Sequence, residues 1–230
     1  LNSVGNTSGV LVDAVAPIVT SVTVPADATY ITGENLDCTG EFNEYICVDD
    51  EVESPSEFSI TIGTTTRYAR FLSASSPTSL IYRYTVRAGD LDTDGIAIEN
   101  LRPYEDFIGD TAGNEADLTL NGVGNTSAVF VNGVAPTVTS VSVPANATYT
   151  TGENLDFMVN TDENVTVNTV GGTPQLSIII GTTTRQAIYQ SGSGTSAMLF
   201  RYTVQSGEQD TDGIMVGTLS ANGGTLKSAI

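Results

Sequence analysis

The chain repeats itself. Residues 1–37, LNSVGNTSGVLVDAVAPIVTSVTVPADATYITGENLD, return at 120–156 as LNGVGNTSAVFVNGVAPTVTSVSVPANATYTTGENLD, with 28 of 37 positions identical at an offset of 119. Further on the offset is 118, so that Gly63 answers to Gly181 and Asp92 to Asp210. A period this long is too large for a solenoid unit and suits a tandem array of whole domains. With VDAVAP (12–17) and VNGVAP (131–136) as junctions, three segments follow. Residues 1–12 match the end of a repeat and form a terminal strand of a preceding or neighbouring domain. Residues 13–131 form a complete domain. Residues 132–230 form a domain without its last strand, because the counterpart of Gly113–Val131 does not follow.

The alternation of residues sets the fold class. Val19-Ser21-Val22-Val24 and Val138-Val141-Val143 read as first strands, each stopped by a proline, Pro25 or Pro144. Leu155-Phe157-Val159, Leu176-Ile178-Ile180, Met198-Phe200-Tyr202-Val204 and Leu80-Tyr82-Tyr84-Val86 keep a period of two. Short β-branched and aromatic strands separated by Gly, Asn, Asp and Ser turns predict an all-β protein of tandem immunoglobulin-like β-sandwich domains. Residues 38–58 of the first copy depart from the second and read as a longer exposed loop. Its two cysteines, Cys38 and Cys47, are the only ones in the chain. They suggest a disulfide across the turn at Asn43-Glu44, the alternative being two reduced thiols.

Composition limits function. Net charge is −19, from 27 acids against 8 bases. That argues against nucleic acid and against an anionic membrane surface, both of which need basic patches. It admits divalent cations. There is no histidine, which removes the usual general base near neutral pH. Paired carboxylates could serve glycosidic chemistry, but here they sit on turns without the aromatic residues of a sugar cleft. The chain is therefore read as not an enzyme.

The carboxylates cluster by pattern. Asp90-Leu91-Asp92-Thr93-Asp94-Gly95 places alternate acids before a glycine, the opening logic of a calcium loop. Its counterpart carries Glu208, Asp210 and Asp212 before Gly213. Neither has an acid at the twelfth position, where Leu101 and Leu219 stand, so further ligands must come from elsewhere. Counting strand directions brings Asp13, the Asn43-Glu44 turn and the Asp90 loop to one pole. In the second copy the same count gathers Asn132, Asp162, Glu163, Asp210 and Asp212. Calcium is the expected cofactor. Asn6, Asn125, Asn146 and Asn164 stand in N-x-S/T sequons.

The order and spacing of VDAVAP-x-VTSVTVP, TGENLD, the DTDGI loop and GDTAGN resemble the bacterial immunoglobulin-like (Big-type) tandem repeats of large secreted adhesins. The resemblance covers nearly the whole chain. The second copy departs from it at Asn132 and at Glu208, and lacks the GDTAGN segment. It implies an extracellular, cell-surface array whose domain junctions are stiffened by calcium. The expected function is a structural repeat unit of an adhesin stalk or surface filament. A carbohydrate- or receptor-binding module is the alternative. Expected partners are further repeats of the same chain or neighbouring copies of it. In the latter case Val4, Val10, Leu11 and Val12 would be donated head-to-tail as a strand to a neighbour's second domain.

Overall fold

The computed structural model describes residues 5–48, 56–103 and 107–229. Its chain divides into two compact units, Leu1–Gly133 and Val134–Ile230. Every regular element among the described residues is a strand. The all-β class expected from the alternation is the class observed.

Unit 1 contains β1 (Val19–Thr23), β2 (Ala28–Ile31), β3 (Asn35–Phe42), β4 (Cys47–Val48), β5 (Glu57–Ile62), β6 (Thr65–Ser76), β7 (Ser79–Thr85), β8 (Leu91–Asp92), β9 (Ala97–Arg102), β10 (Ile108–Gly109) and β11 (Val129–Asn132). A six-stranded sheet runs β1-β3-β7-β6-β5-β9, with β10-β4 and β2-β11-β8 as smaller sheets. Alternation in β3 sends Leu36, Cys38 and Phe42 inward, where they meet Tyr82 and Leu80 of β7 in one core. Phe58 packs edge-on against Tyr82 at 4.7 Å between centroids, a geometry worth about 1 kcal/mol beyond its buried area. Gly63 (φ 56°) opens the two-residue turn between β5 and β6, where a side chain would be strained.

The end of unit 1 closes this core. Residues 117–123 run beside β1, with parallel bridges Ile18–Asp117 and Val22–Val123. β11 then enters between β2, which it pairs in parallel, and β8, which it pairs antiparallel. Its Val129 and Val131 are fully buried.

Unit 2 contains β12 (Val138–Ser142), β13 (Asn154–Asn168), β14 (Gln175–Ile180), β15 (Thr183–Ser191), β16 (Thr195–Thr203), β17 (Met215–Ser220) and β18 (Thr225–Ser228). The order β12-β13-β16-β15-β14-β17 follows that of unit 1, and β18 joins β13. The registers also repeat: Asn35 pairs Thr85 in unit 1, and Asn154 pairs Thr203 in unit 2.

Three expectations require correction. The segment 38–58 is no simple exposed loop: Cys38–Phe42 belongs to β3, and Ile46, Ser56, Glu57 and Phe58 are buried. Residues 49–55 of it lie outside the described residues. Glu57 tolerates burial because Arg102 donates to it at 2.6 and 3.1 Å. Cys38 and Cys47 form no disulfide. β3 turns Cys38 into the core opposite Tyr82, whereas Cys47 pairs with Gly109 in another sheet. Burial pushes the Cys38 thiol up to about 12. Finally, Asn43-Glu44 and the Asp90 loop do not share a pole. β3 and β7 are antiparallel neighbours, so the end of β7 at Thr85 lies beside the start of β3 at Asn35, away from Phe42. The count of strand directions was out by one reversal.

Candidate functional site

Asp13 and Glu44 do meet, at the pole where the chain enters unit 1. The Ile18 amide donates to Asn43 Oδ1 at 2.7 Å, and the Asn43 amide to the Ile18 carbonyl at 3.2 Å, which fixes the turn after β3 against the incoming chain. Asp110, after β10, completes a group. Asp13, Glu44 and Asp110 each present a carboxylate oxygen, all within 4.8 Å of one another. Asp110 is buried and held by the Asn114 amide (2.8 Å) and Nδ2 (2.7 Å). The Asn114 side chain is the main reason its pKa lies below the usual carboxylate value. Glu44 Oε1 is buried and makes no hydrogen bond. A cation with oxygen ligands at about 2.4 Å spans such a group, since opposite ligands then lie about 4.8 Å apart. The residues present therefore fit calcium.

Unit 2 answers the same position differently. Ser228 stands where Asp110 stands, and its Oγ lies 2.8 Å from Glu163 Oε1. Asp162 accepts from the Thr137 amide and hydroxyl at 2.8 and 2.6 Å, which lowers its pKa. Among the described residues, only the unit 1 group brings three such ligands together.

The acids before Gly95 and Gly213 have other work. Asp90 takes Arg67 Nε at 2.8 Å, the Tyr84 hydroxyl at 2.5 Å and the Arg87 amide at 2.8 Å. Burial opposes its ionisation, but Tyr84, the Arg87 amide and Arg67 outweigh burial and lower its pKa. Tyr84 rises to about 12 through burial and its bond to Asp90. Glu208 repeats the arrangement with Arg185 (2.5 Å), Tyr202 (2.6 Å) and the Gln205 amide (2.8 Å). Asp92 ties the loop to the β5–β6 turn, accepting from the Gly63 and Gly95 amides at 2.6 and 2.7 Å. Asp210 does the same with Gly181 and Gly213. These carboxylates are spent on backbone amides and arginines. Asp94 and Asp212 remain at the surface of the turn.

A second feature lies in unit 2. A groove of about 400 Å³ is lined by Val143, Tyr149, Leu155, Ile180, Val204 and Ile214, together with Glu208 and Asp210. The positions that form β2 in unit 1 correspond to 147–150, which form no strand. The groove is thus the place that β11 fills in unit 1.

Val10, Leu11 and Val12 are 70%, 88% and 89% exposed and form no strand; Val4 lies outside the described residues. Asn6, Asn125, Asn146 and Asn164 are all exposed. Asp110 was not singled out from the sequence. The signal for it was the GDTAGN segment, where an aspartate four residues before an asparagine folds a turn around its own carboxylate.

No family model matches the chain, and no curated protein matches it. Among solved structures, a marsupial T cell receptor is similar at 13% identity, over 86% of this chain and 61% of the receptor chain, with a TM-score of 0.25. This chain thus spans about 61% of the length of that receptor chain.

Proposed function

We propose that the chain is a structural repeat unit of an extracellular adhesin stalk or surface filament, in which calcium at Asp13, Glu44 and Asp110 stiffens the point where the chain enters a unit. One observation carries this reading: a single sequence, used twice, builds two units with the same strand order and register, each around its own apolar core. Duplication of this kind supplies length and mechanical resistance. Antiparallel neighbours such as β3 and β7 resist extension because several backbone hydrogen bonds share the load.

The calcium assignment moves from the DTDG loops to the entry pole. There Asp13, from the incoming chain, would be held against Glu44 and Asp110 of the unit itself. The ion would supply charge neutralisation, and the protein's part is to aim the three carboxylates. At free calcium a hundred times the dissociation constant, folded unit 1 gains about 2.7 kcal/mol. Thermal midpoints in calcium and in EDTA test this. Unit 1 is expected to shift and unit 2 to stay, and Glu44→Gln should abolish the shift without lowering the midpoint in EDTA. Equal midpoints in both buffers would refute calcium. The stalk reading itself is tested by pulling single chains from their ends. Each unit should give one discrete unfolding event, releasing ~3.4 Å per residue. A smooth extension without events would count against it.

A further inference from the structure

We propose that the outer face of the six-stranded sheet of unit 1 holds a binding site for a single carboxylate, anchored by Arg70, and that its ligand is a glycan ending in an acidic sugar. The proposal goes beyond the stalk reading, because it gives one unit a ligand that the other does not share.

The site begins as a row across the sheet. Asp37 of β3 lies opposite Arg83 of β7, and Arg83 opposite Arg70 of β6. Arg70 lies opposite Glu57 of β5, and Glu57 opposite Arg102 of β9. Residues directly opposite in antiparallel strands share a face, so these charged side chains stand in line. Arg83 is occupied by Asp37, through bonds of 2.7 and 2.6 Å. Arg102 is occupied by Glu57, and its guanidinium lies 4.4 Å from the centre of the Tyr68 ring. Arg70 is exposed and, among the described residues, makes no hydrogen bond or ion pair. Three arginines against two acids leave one positive charge over. That charge faces another arginine across the strand pair, which is unfavourable, in a chain with 8 bases against 27 acids.

The fold does not require this surplus charge. In unit 2 the same row reads Asp156, Arg201, Ile188, Gln175 and Ser220, each opposite the next. Only the Asp–Arg pair returns, and that row is neutral. Within β6, Arg67, Ala69 and Phe71 return in β15 as Arg185, Ala187 and Tyr189. The alternate positions Tyr68, Arg70 and Leu72 return as Gln186, Ile188 and Gln190. Ala69 and Phe71 belong to the core, whereas Tyr68 and Leu72 are 41% and 48% exposed. The side chains that build the unit are kept in both copies. Those that face water on either side of Arg70 are peculiar to unit 1.

Their chemistry selects the ligand. The free guanidinium fork of Arg70 matches a carboxylate through two parallel bonds. One surplus charge takes one carboxylate. A polyanion would meet repulsion from the rest of a chain at −19. Tyr68 and Leu72 stand two residues to either side of Arg70 on the same face, ~7 Å away, and offer apolar contact to the body of a sugar ring. An acidic peptide fits less well. Extended peptides draw affinity from main-chain bonds at a sheet edge, and β6 is an inner strand with β7 and β5 on its two sides. A sugar acid takes its bonds from side chains.

The test uses the full chain at about 0.15 M salt, where distant charges are screened beyond ~8 Å. The probes are immobilised glycans ending in sialic acid or glucuronic acid, each beside its uncharged parent, and a peptide with one glutamate. Acid-terminated glycans should retain the chain, and the uncharged parents and the peptide should not. Arg70→Ile installs the residue that unit 2 already carries, so the thermal midpoint should hold while binding weakens roughly tenfold or more. Arg70→Lys keeps the charge without the fork and should recover only part of that loss. EDTA should leave binding unchanged, since the row contains none of Asp13, Glu44 and Asp110. The calcium reading therefore stands or falls separately. Failure of every acid-terminated glycan to retain the chain overturns the proposal. So does equal retention by the uncharged parents, retention by the peptide instead, binding that survives Arg70→Ile, or binding that EDTA abolishes.

Discussion

β1 and β12 differ by one residue, VTSVT against VTSVS, yet Val19 is fully buried and its counterpart Val138 is 48% exposed. Val22 is buried and Val141 half-buried. Ile96 and Val86 are buried in unit 1, whereas Ile214 and Val204 are half-exposed in unit 2. The strands themselves have the same sequence pattern and register. What differs is the segment 117–132, which covers one side of unit 1 and has no equivalent among the described residues of unit 2. Burial here is a property of the neighbour that arrives, not of the strand that waits for it.

The comparison can be broken at its strongest point. Val131→Asp would bury an unpaired charge in unit 1 and should cost about 4 kcal/mol or more. Val12→Asp, the same change in the exposed counterpart, should leave the melting of dilute chains unmoved. Equal losses, measured by chemical denaturation, would mean that residues 5–12 already pack somewhere.

A smaller effect separates the two acid clusters. Tyr84→Phe leaves a buried Asp90 oxygen short of a donor and should cost about 2 kcal/mol. Tyr202→Phe should cost less, because Tyr202 is only half-buried and the cluster is more open to water. The reverse order would show that the uncovered groove in unit 2 is dry.

Acid should reveal the same pair more gently. Asp90 and Glu208 both have lowered pKa values. Their stabilising contributions are therefore complete above the unfolded-state values, about 3.9 for Asp and 4.3 for Glu, and are lost as pH falls through the folded-state values. Unit 2, with Glu208, should begin to lose its share at the higher pH. Calorimetry between pH 7 and pH 3 reads both units, and a unit 1 transition that falls first would contradict the assignment.

Much of this was legible before any coordinates. Period-two alternation marks β7, β13, β14 and β16 because each has one face on a core, and the repeat offset gives the equivalence of the two units. What was not legible depends on pairings between distant residues. The pole of the DTDG loop follows from β7 lying antiparallel to β3, a fact of topology that counting strands misplaced. Asp110 joins Asp13 and Glu44 across about a hundred residues of sequence. Cys38 and Cys47 lie nine positions apart but belong to different sheets. Glu57, in an acidic stretch that reads as exposed, is buried because Arg102 stands across from it in β9.

Hydrogen exchange on dilute chains tests the central comparison most directly. The amides of residues 28–31 lie beside β11, and those of 147–150 line an open groove. The account predicts strong protection for 28–31 and fast exchange for 147–150. Equal and strong protection of both segments at high dilution would contradict it.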